Sequence, residues 1–222
     1  ERWPELFPGV RYSATYYDAW ISQPERLAVE LVLDARRDAP QAIALNYAQL
    51  HRAADGFQLS AEGDEGPIAI RPRIVVNATG AWIDETITAL GDKPALAEKT
   101  VTGTKGSHLI LANKALYDAL NGHMIFFENV DNRVCILFPY LGRVLAGSTD
   151  IKVERPDRTR CEPEERDYIL DAIRYVFPGI EISASDIVFS FSGIRPLPRS
   201  DAEFTGRISR SHIIHRVETD PP

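Results

Sequence analysis

The sequence predicts a mixed α/β protein of the α+β kind, in which an antiparallel sheet forms a separate layer. Two observations predict this class. A helix, a small meander and a buried strand in the first half are followed by several short strands, a long helix and a last strand. Of the 222 residues, 44% are hydrophobic and 26% are charged. These fractions are typical of a globular protein with one large domain or two small ones.

The first half of the chain predicts one helix and several short strands. Residues 12–19 are rich in aromatic side chains, which favour a strand. Residues 22–37 repeat apolar side chains with helical spacing and therefore predict a helix. Residues 42–45 predict a short strand, and the glycine-punctuated residues 50–70 predict an antiparallel meander. Residues 74–76 are apolar and β-branched without alternation, so we expect a strand buried on both faces.

Short apolar runs separated by turn residues in the second half predict consecutive antiparallel strands. The first of these strands is expected to be interrupted by Gly103 and Gly106. The inner face of the sheet should be rich in Ile, Leu and Phe. The predicted strands are residues 100–111, 124–127, 133–140, 143–146 and 187–191, and the predicted helices are residues 81–90, 113–121 and 162–177.

Composition and charge exclude several classes of protein. The formal net charge of −7 argues against nucleic-acid binding, which needs a basic face. Two cysteines are too few for a disulfide framework or a cysteine zinc site, and His212 and His215 would point to opposite faces of an extended segment, so we expect no metal. No apolar run reaches the length of a transmembrane helix. The first residues are neither Met nor a signal peptide, and we expect a piece of a longer chain.

A short segment after the predicted strand at residues 74–76 is a candidate ligand contact. Ala78, Thr79 and Gly80 are small, and a helix is predicted to begin directly after them. Small residues let a ligand approach backbone N–H groups, and a helix N-terminus favours anionic oxygens. The pattern fits a ligand site and equally fits a plain strand-to-helix turn.

Two further side chains suit chemistry on a small anionic substrate. His108 follows Gly106 at the predicted start of a strand, and histidine is the natural proton acceptor near neutral pH. Arg195 lies between a glycine and a proline at a predicted strand end, and a guanidinium binds carboxylate or phosphate through paired hydrogen bonds. A structural histidine and a surface ion pair are the alternative interpretations.

These segments resemble one family of flavoproteins. The motifs NATGAW at residues 77–82, KGSH at residues 105–108 and SGIRPL at residues 192–197 resemble those of the FAD-dependent glycerol-3-phosphate dehydrogenases, within the glycine/D-amino-acid oxidase class. Residues 208–210 are similar to a further, weaker motif that carries a second arginine. The resemblance extends over about residues 5–217.

The resemblance implies a partial FAD-binding domain joined to an antiparallel substrate-binding domain of the D-amino-acid-oxidase-like fold. Residues 1–20 would form an N-terminal loop and a strand of the substrate domain, and residues 21–97 part of the FAD-binding domain. Residues 98–192 would form the antiparallel substrate-binding domain, and residues 193–222 a strand that returns toward the FAD domain.

The resemblance also implies that Ala78, Thr79, Gly80, Trp82 and Gly193 lie close to FAD. The reaction would be oxidation of sn-glycerol 3-phosphate, a small phosphorylated polyol, to dihydroxyacetone phosphate, with a quinone as the electron acceptor. The location would be the cytoplasm, with possible attachment to the inner face of the cytoplasmic membrane.

Three residues receive roles from the same resemblance. His108 would accept the proton of the substrate hydroxyl. Arg195, which the family also places beside the reacting atoms, and Arg210 would hold the phosphate. We expect these three side chains to converge on one pocket.

The sequence departs from the family pattern in one informative way. No two glycines are separated by a single residue, so the G-x-G-x-x-G motif that holds a dinucleotide pyrophosphate is missing, and the family's C-terminal motif is missing as well. We therefore expect this chain to be a central fragment that binds FAD weakly or not at all. Two alternatives stay open: a related FAD-dependent amine or 2-hydroxy-acid oxidoreductase with a carboxylate on Arg195, and an inactive fragment or interaction module.

Overall fold

The computed structural model describes residues 6, 9–63, 66–91, 100–147, 149–199, 208, 211 and 214–216. By its contacts the chain divides into two units, one built mainly from Leu96–Arg216 with Asn77–Thr86, and one built mainly from Tyr12–Val76. Helices and antiparallel sheets occur together, which confirms the predicted fold class. The four domain ranges implied by the family resemblance stay predictions.

The unit of Tyr12–Val76 contains one helix and a three-stranded sheet. Helix α1 begins at Pro24. A proline is tolerated there because backbone N–H groups in the first turn of a helix have no acceptor within the helix. The three strands pair antiparallel in sequence order, as the sequence predicts for the meander. The elements are α1 (Pro24–Asp38), β1 (Ala48–Ala53), β2 (Gly56–Ala61) and β3 (Ile68–Ile70).

Three strand predictions in this half are wrong. Residues 12–19, 42–45 and 74–76 form neither helix nor strand. The run at residues 74–76 is also exposed rather than buried, with 78% of Ile74 accessible. Within the described part of the chain no neighbour supplies the ladder hydrogen bonds that a strand needs, so a favourable composition by itself leaves these runs unpaired.

The larger unit is organised around a six-stranded antiparallel sheet. Strand β4 lies at its centre: β7 and β8 pair with successive parts of one edge of β4, and β9 pairs with the other edge. Strands β6 and β5 extend the sheet beyond β7. The strands are β4 (Val101–Leu111), β5 (Ile125–Glu128), β6 (Val134–Tyr140), β7 (Arg143–Gly147), β8 (Ile151–Val153) and β9 (Ile187–Pro198).

Two strands of this sheet run further than the sequence predicts. Strand β4 is continuous through Gly103 and Gly106, because both glycines pair with residues of β9. Strand β9 does not end at residue 191 but continues to Pro198. Among the described strands β9 pairs only with β4, and such a position at the edge of a sheet tolerates a proline that cannot donate a hydrogen bond. His108 and Arg195 therefore lie within strands rather than at strand ends.

The helices of this unit agree with the sequence patterns. The side chain of Asn113 accepts a hydrogen bond from the backbone of Leu116 and caps α3, which ends at Asn121 in a left-handed conformation with φ of 47°. Helix α4 begins with a capping box between Glu162 and Glu165. The helical elements are a 3₁₀ turn (Gly80–Trp82), α2 (Ile83–Leu90), α3 (Lys114–Leu120), α4 (Pro163–Val176) and a second 3₁₀ turn (Ala184–Asp186).

The core of the unit lies between one face of the sheet and the helices α3 and α4. Side chains of β4, β6 and β7 that point to this face interlock with the apolar stripe of α4. The buried residues are Leu109, Leu111, Leu116, Leu120, Leu137, Val144, Ala146, Ile169, Leu170, Ile173, Val176, Phe177 and Ile182. The opposite face of the sheet carries exposed side chains such as Phe126, Phe189 and Phe191.

None of the helices in the described ranges combines the length and the apolar character that crossing a membrane requires.

The core contacts of α4 predict a large loss of stability on truncation. Ile173 is 1% exposed, and Ile173→Ala should lower the free energy of unfolding by about 2–5 kcal/mol because it removes buried methyl groups and leaves a cavity. Urea unfolding followed by circular dichroism measures the change. The matched control is Ile214→Ala, since Ile214 is 96% exposed and its truncation should change the free energy by less than about 0.5 kcal/mol. Equal effects of the two substitutions would contradict the assigned core.

Candidate active site on the open face of the sheet

The register between β4 and β9 decides which side chains share the face of the sheet away from the core. Thr104 is paired with Arg195, Gly106 with Gly193, and His108 with Phe191. Side chains alternate between the two faces of a strand, and paired residues point to the same face. His108, Gly193 and Arg195 therefore lie on one face, although the sequence separates His108 from the other two by more than eighty positions.

His108 lies in a row of residues that crosses five strands: Phe126, Ile136, Gly147, His108 and Phe191. A Cβ atom at Gly147 would overlap the imidazole, so the ring occupies the space that this glycine leaves. On its other side the imidazole stacks on the Phe191 ring, with 5.0 Å between centroids and 10° between planes. These two neighbours fix the plane of the imidazole.

The surroundings of His108 also determine its protonation. Burial, and secondly the positive charge of Arg195, lower the pKa of His108 from 6.5 to about 4. The imidazole is therefore neutral near pH 7 and has a nitrogen lone pair that can accept a proton.

Arg195 extends from β9 across β4. Its guanidinium passes over Gly106, where any Cβ atom would overlap it. On the far side of β4, Nη1 donates a hydrogen bond of 3.3 Å to the carbonyl oxygen of Thr149 and lies 3.9 Å from Oδ1 of Asp150. The side chain is 31% exposed, so an anion from solvent can reach the guanidinium. His108 over Gly147 and Arg195 beside Thr149 thus reach the same stretch of chain.

The segment after residue 76 lies beside the end of β9. The side chain of Asn77 accepts hydrogen bonds from the backbone and the hydroxyl of Thr79, with the backbone bond at 3.2 Å, which closes a tight turn. Gly80 has φ of 62°, and a Cβ atom there would lie 3.9 Å from Cγ of Pro196. Pro196 pairs with Gly103 and therefore points to the face of the sheet opposite Arg195. Of the predicted cofactor contacts in this segment, Ala78, Thr79 and Trp82 are exposed, while Gly80 is half-buried.

The start of helix α2 differs from the expectation of an anion site. Asp84 and Glu85 both lie in its first turn, so the positive end of the helix dipole already has two carboxylates of this chain. Asp84 also accepts backbone hydrogen bonds of 3.1 Å from Thr100 and 3.2 Å from Val101, which tie α2 to the beginning of β4. The N-terminus of α2 therefore holds the start of β4 in place and is unfavourable for binding a phosphate.

The open face of the sheet fits a flat aromatic cofactor such as the flavin of FAD. A Cβ atom at Gly193 would meet no atom within 4 Å, so the backbone between Phe191 and Arg195 is open to a planar ring. Phe126, Phe189 and Phe191 are 52%, 59% and 39% exposed and give the face an apolar surface. For the dinucleotide pyrophosphate this sequence contains no G-x-G-x-x-G motif.

Two other expectations concern metal ions and Arg210. Arg210, the predicted second phosphate ligand, lies outside the described residues, and so does His212. Within the described ranges no three His, Cys, Asp or Glu side chains are grouped closely enough to hold a metal ion.

Three residues that support this face were not predicted to have a role at the site. Gly147 and Phe191 hold the imidazole in place, and Glu165 binds the strand from behind. The capping-box spacing of Glu165 is the only sequence signal among them, and it predicts a helix start rather than a role at a site.

Comparisons with known proteins point to one family. Residues 1–218 match the profile of the family described as "DAO: FAD dependent oxidoreductase". A glycerol-3-phosphate dehydrogenase of Synechocystis sp. is 30% identical over 96% of this chain and 40% of its own length. An aerobic glycerol-3-phosphate dehydrogenase of Bacillus subtilis is 27% identical over 90% of this chain and 36% of its own length. The chain thus spans about two fifths of these relatives.

A solved structure is similar as well. The crystal structure of the glycerol-3-phosphate dehydrogenase from Bacillus halodurans, complexed with FAD, superposes with a TM-score of 0.65 at 26% identity. The match covers 81% of this chain and 36% of the other one.

The low pKa of His108 predicts a specific pH dependence of stability. Between pH 4 and 6.5 the unfolded chain binds a proton at this histidine and the folded chain does not, so the free energy of unfolding should rise with pH across this window, by up to about 3 kcal/mol. His108→Gln should remove this part of the rise. Urea unfolding at several pH values measures it.

The control is His51→Gln, because His51 is exposed on β1. It should leave the pH dependence unchanged. A rise in the His108→Gln protein as steep as in the parent protein would show that the native imidazole is not held neutral.

Proposed function

The chain belongs to the family of FAD-dependent oxidoreductases, and on that premise we propose that the enzyme containing it oxidises sn-glycerol 3-phosphate to dihydroxyacetone phosphate. The observation that carries the proposal is that a neutral, half-buried His108 and a partly exposed Arg195 lie on one open face of the sheet. The similar proteins named glycerol-3-phosphate dehydrogenase support this choice of substrate.

His108 is the proposed proton acceptor. Oxidation of a secondary alcohol removes a proton from the hydroxyl oxygen and a hydride from the carbon that bears this hydroxyl, and FAD when bound supplies the hydride acceptor. The neutral imidazole takes the proton, which avoids a build-up of positive charge on the carbonyl carbon. The stack on Phe191 and the space over Gly147 hold the ring in one orientation for this transfer.

Arg195 is the proposed ligand of the phosphate. Its guanidinium is partly exposed and lies beside Thr149, and a phosphate dianion can accept two parallel N–H bonds from it. Anion binding next to His108 would also counter the positive charge that lowers the pKa of the imidazole, so the bound substrate should make the histidine a stronger base. Arg210 is proposed as a second phosphate ligand on the family resemblance alone.

The same face would hold the flavin. Gly193 and Phe191 offer it an open backbone and an apolar ring. The turn with Ala78, Thr79 and Gly80 lies beside Pro196 of β9 and is included on the family resemblance. Trp82 is half-exposed at the end of the same turn and is included in the proposal.

A quinone is proposed as the acceptor that reoxidises FAD, in the cytoplasm and at the inner face of the cytoplasmic membrane. The resemblance to the family supports this part. A ubiquinone analogue that accelerates turnover in membrane extracts, compared with oxygen alone, would test it.

We expect this chain by itself to bind FAD weakly or not at all, because the sequence lacks the glycine turn on which the pyrophosphate of FAD rests. The measurement is the absorption spectrum of the purified protein with and without added FAD. Purification with a near-stoichiometric amount of bound flavin would contradict this expectation.

Two substitutions in the FAD-loaded enzyme test the proposed reaction. His108→Ala should lower kcat by roughly 10²–10⁴-fold, the usual effect of losing a general base. Arg195→Lys should raise KM for glycerol 3-phosphate by roughly 10-fold, since a point charge replaces the paired donors of the guanidinium. Steady-state kinetics with an artificial electron acceptor measure both effects.

The controls remove the same residue types from exposed places. His51→Ala and Arg160→Lys, at a side chain that is 85% exposed, should leave both constants unchanged. An unchanged kcat in His108→Ala would overturn the proposed role of the histidine. Faster oxidation of a 2-hydroxy acid or an amine than of glycerol 3-phosphate would overturn the proposed substrate.

A further inference from the structure

A buried carboxylate lies directly behind the strand that carries His108. Glu165, in the first turn of α4, is only 4% exposed. Its Oε1 accepts hydrogen bonds from the hydroxyls of Ser107 at 2.8 Å and Thr149 at 2.7 Å. Its Oε2 accepts from Nζ of Lys105 at 2.6 Å and from the backbone N–H of Glu162 at 3.0 Å. Four donors thus meet on one carboxylate.

Two branches lead from this carboxylate to the open face. Ser107 directly precedes His108 on β4 and points to the opposite face, so the hydroxyl bond to Glu165 fixes the strand at the base of the imidazole. The second branch passes through Thr149. The Thr149 hydroxyl donates a hydrogen bond to Glu165 and accepts one of 2.9 Å from the backbone N–H of Ser107. The Thr149 carbonyl oxygen accepts a hydrogen bond from the guanidinium of Arg195.

The ionisation of Glu165 agrees with this role. Burial alone would raise the pKa of its carboxyl, but the bonds from Lys105, from the backbone of Glu162, and from Thr149 and Ser107 outweigh burial and lower it. The carboxylate is charged at neutral pH and can accept all four donors at once. A helix start needs no buried charge, since an exposed glutamate caps equally well.

We propose that Glu165 is a positioning residue for the oxidation proposed above: by holding Ser107 and Thr149, it sets the separation and orientation of His108 and Arg195. Neither Glu165 nor Lys105 contacts the open face, because both lie on the core side of β4. This inference rests on the proposed function in one respect, the identity of the reaction in which His108 and Arg195 take part. The link between Glu165 and the imidazole is measurable without FAD.

The first test is the pKa of the His108 imidazole, followed by NMR in this chain. In Glu165→Gln the amide cannot accept all four donors, β4 should loosen, and the ring should become more hydrated. Its pKa should rise from about 4 by about one unit or more toward the ordinary 6.5. If Glu165 acted on the imidazole only through its negative charge, removing that charge would lower the pKa of His108. A rise in this pKa would therefore show that Glu165 acts by holding β4 in place.

Two controls separate positioning from charge and from stability. Glu164→Gln removes the same charge from an exposed side chain in the same turn of α4 and should leave the imidazole pKa at about 4. Ile173→Ala weakens the packing of α4 without touching the carboxylate, and in the folded protein it should also leave that pKa at its parent value. A pKa raised equally by Ile173→Ala and Glu165→Gln would overturn the inference.

A second pair of variants serves if Glu165→Gln does not fold. Thr149→Val keeps the shape of the side chain and removes the hydroxyl that joins Ser107 to Glu165, while Thr149→Ser keeps the hydroxyl. The imidazole pKa should rise in Thr149→Val and stay near the parent value in Thr149→Ser. Equal values in these two variants would overturn the inference.

The FAD-loaded enzyme supplies the second readout. Because both branches end at the proposed site, Glu165→Gln should lower kcat and raise KM together, with kcat/KM falling roughly 10–100-fold, the usual effect of small misplacement. Glu164→Gln should change neither constant. An unchanged imidazole pKa in folded Glu165→Gln overturns the inference even if the parent enzyme oxidises glycerol 3-phosphate. A raised pKa in an enzyme that does not oxidise this substrate supports the link and overturns the proposed function.

Discussion

The long antiparallel pairing of β4 with β9 is the constraint on which the remaining structure of the larger unit depends. It runs from Val101 paired with Pro198 to Leu111 paired with Ile187. Since side chains alternate along a strand, a slip of β4 by one residue would turn His108 toward the core, away from the face that carries Arg195, and Leu109 toward solvent. The core prevents this slip, because Leu109 and Leu111 are completely buried against α4. Packing on one face therefore fixes the chemistry on the other.

Missing side chains are as important to the open face as those present. Gly147 leaves the volume that the imidazole fills, and Gly106 leaves the path along which the guanidinium of Arg195 crosses β4. Gly106 lies inside β4 and Gly147 is the last residue of β7, and in a strand a glycine costs conformational entropy and contributes no packing. Their positions are explained by the two large polar side chains that lie over them, and alanine at either place would displace one of these groups.

Local patterns predicted more of this structure than long-range pairing did. Helices α1 and α4 were predictable, because their apolar spacing and first turns are encoded within a few residues. The prediction of a buried strand at residues 74–76 is wrong, because composition does not determine whether a neighbouring strand exists to pair with. Residue type and motif identified His108 and Arg195. The sequence does not predict a role for Glu165, because a glutamate in the first turn of a helix has the same sequence pattern whether it is exposed or buried.

The two prolines of β9 have a consequence for how the chain behaves in solution. In the described part of the molecule β9 forms an outer margin of the sheet, and such a margin can recruit strands of other molecules into fibrous aggregates. Pro196 and Pro198 cannot donate a backbone hydrogen bond, so they prevent a strand of another molecule from pairing with the last residues of β9. The unprotected stretch is the first part of β9, where Val188 and Phe189 are more than half exposed. Self-association during storage or refolding would begin there.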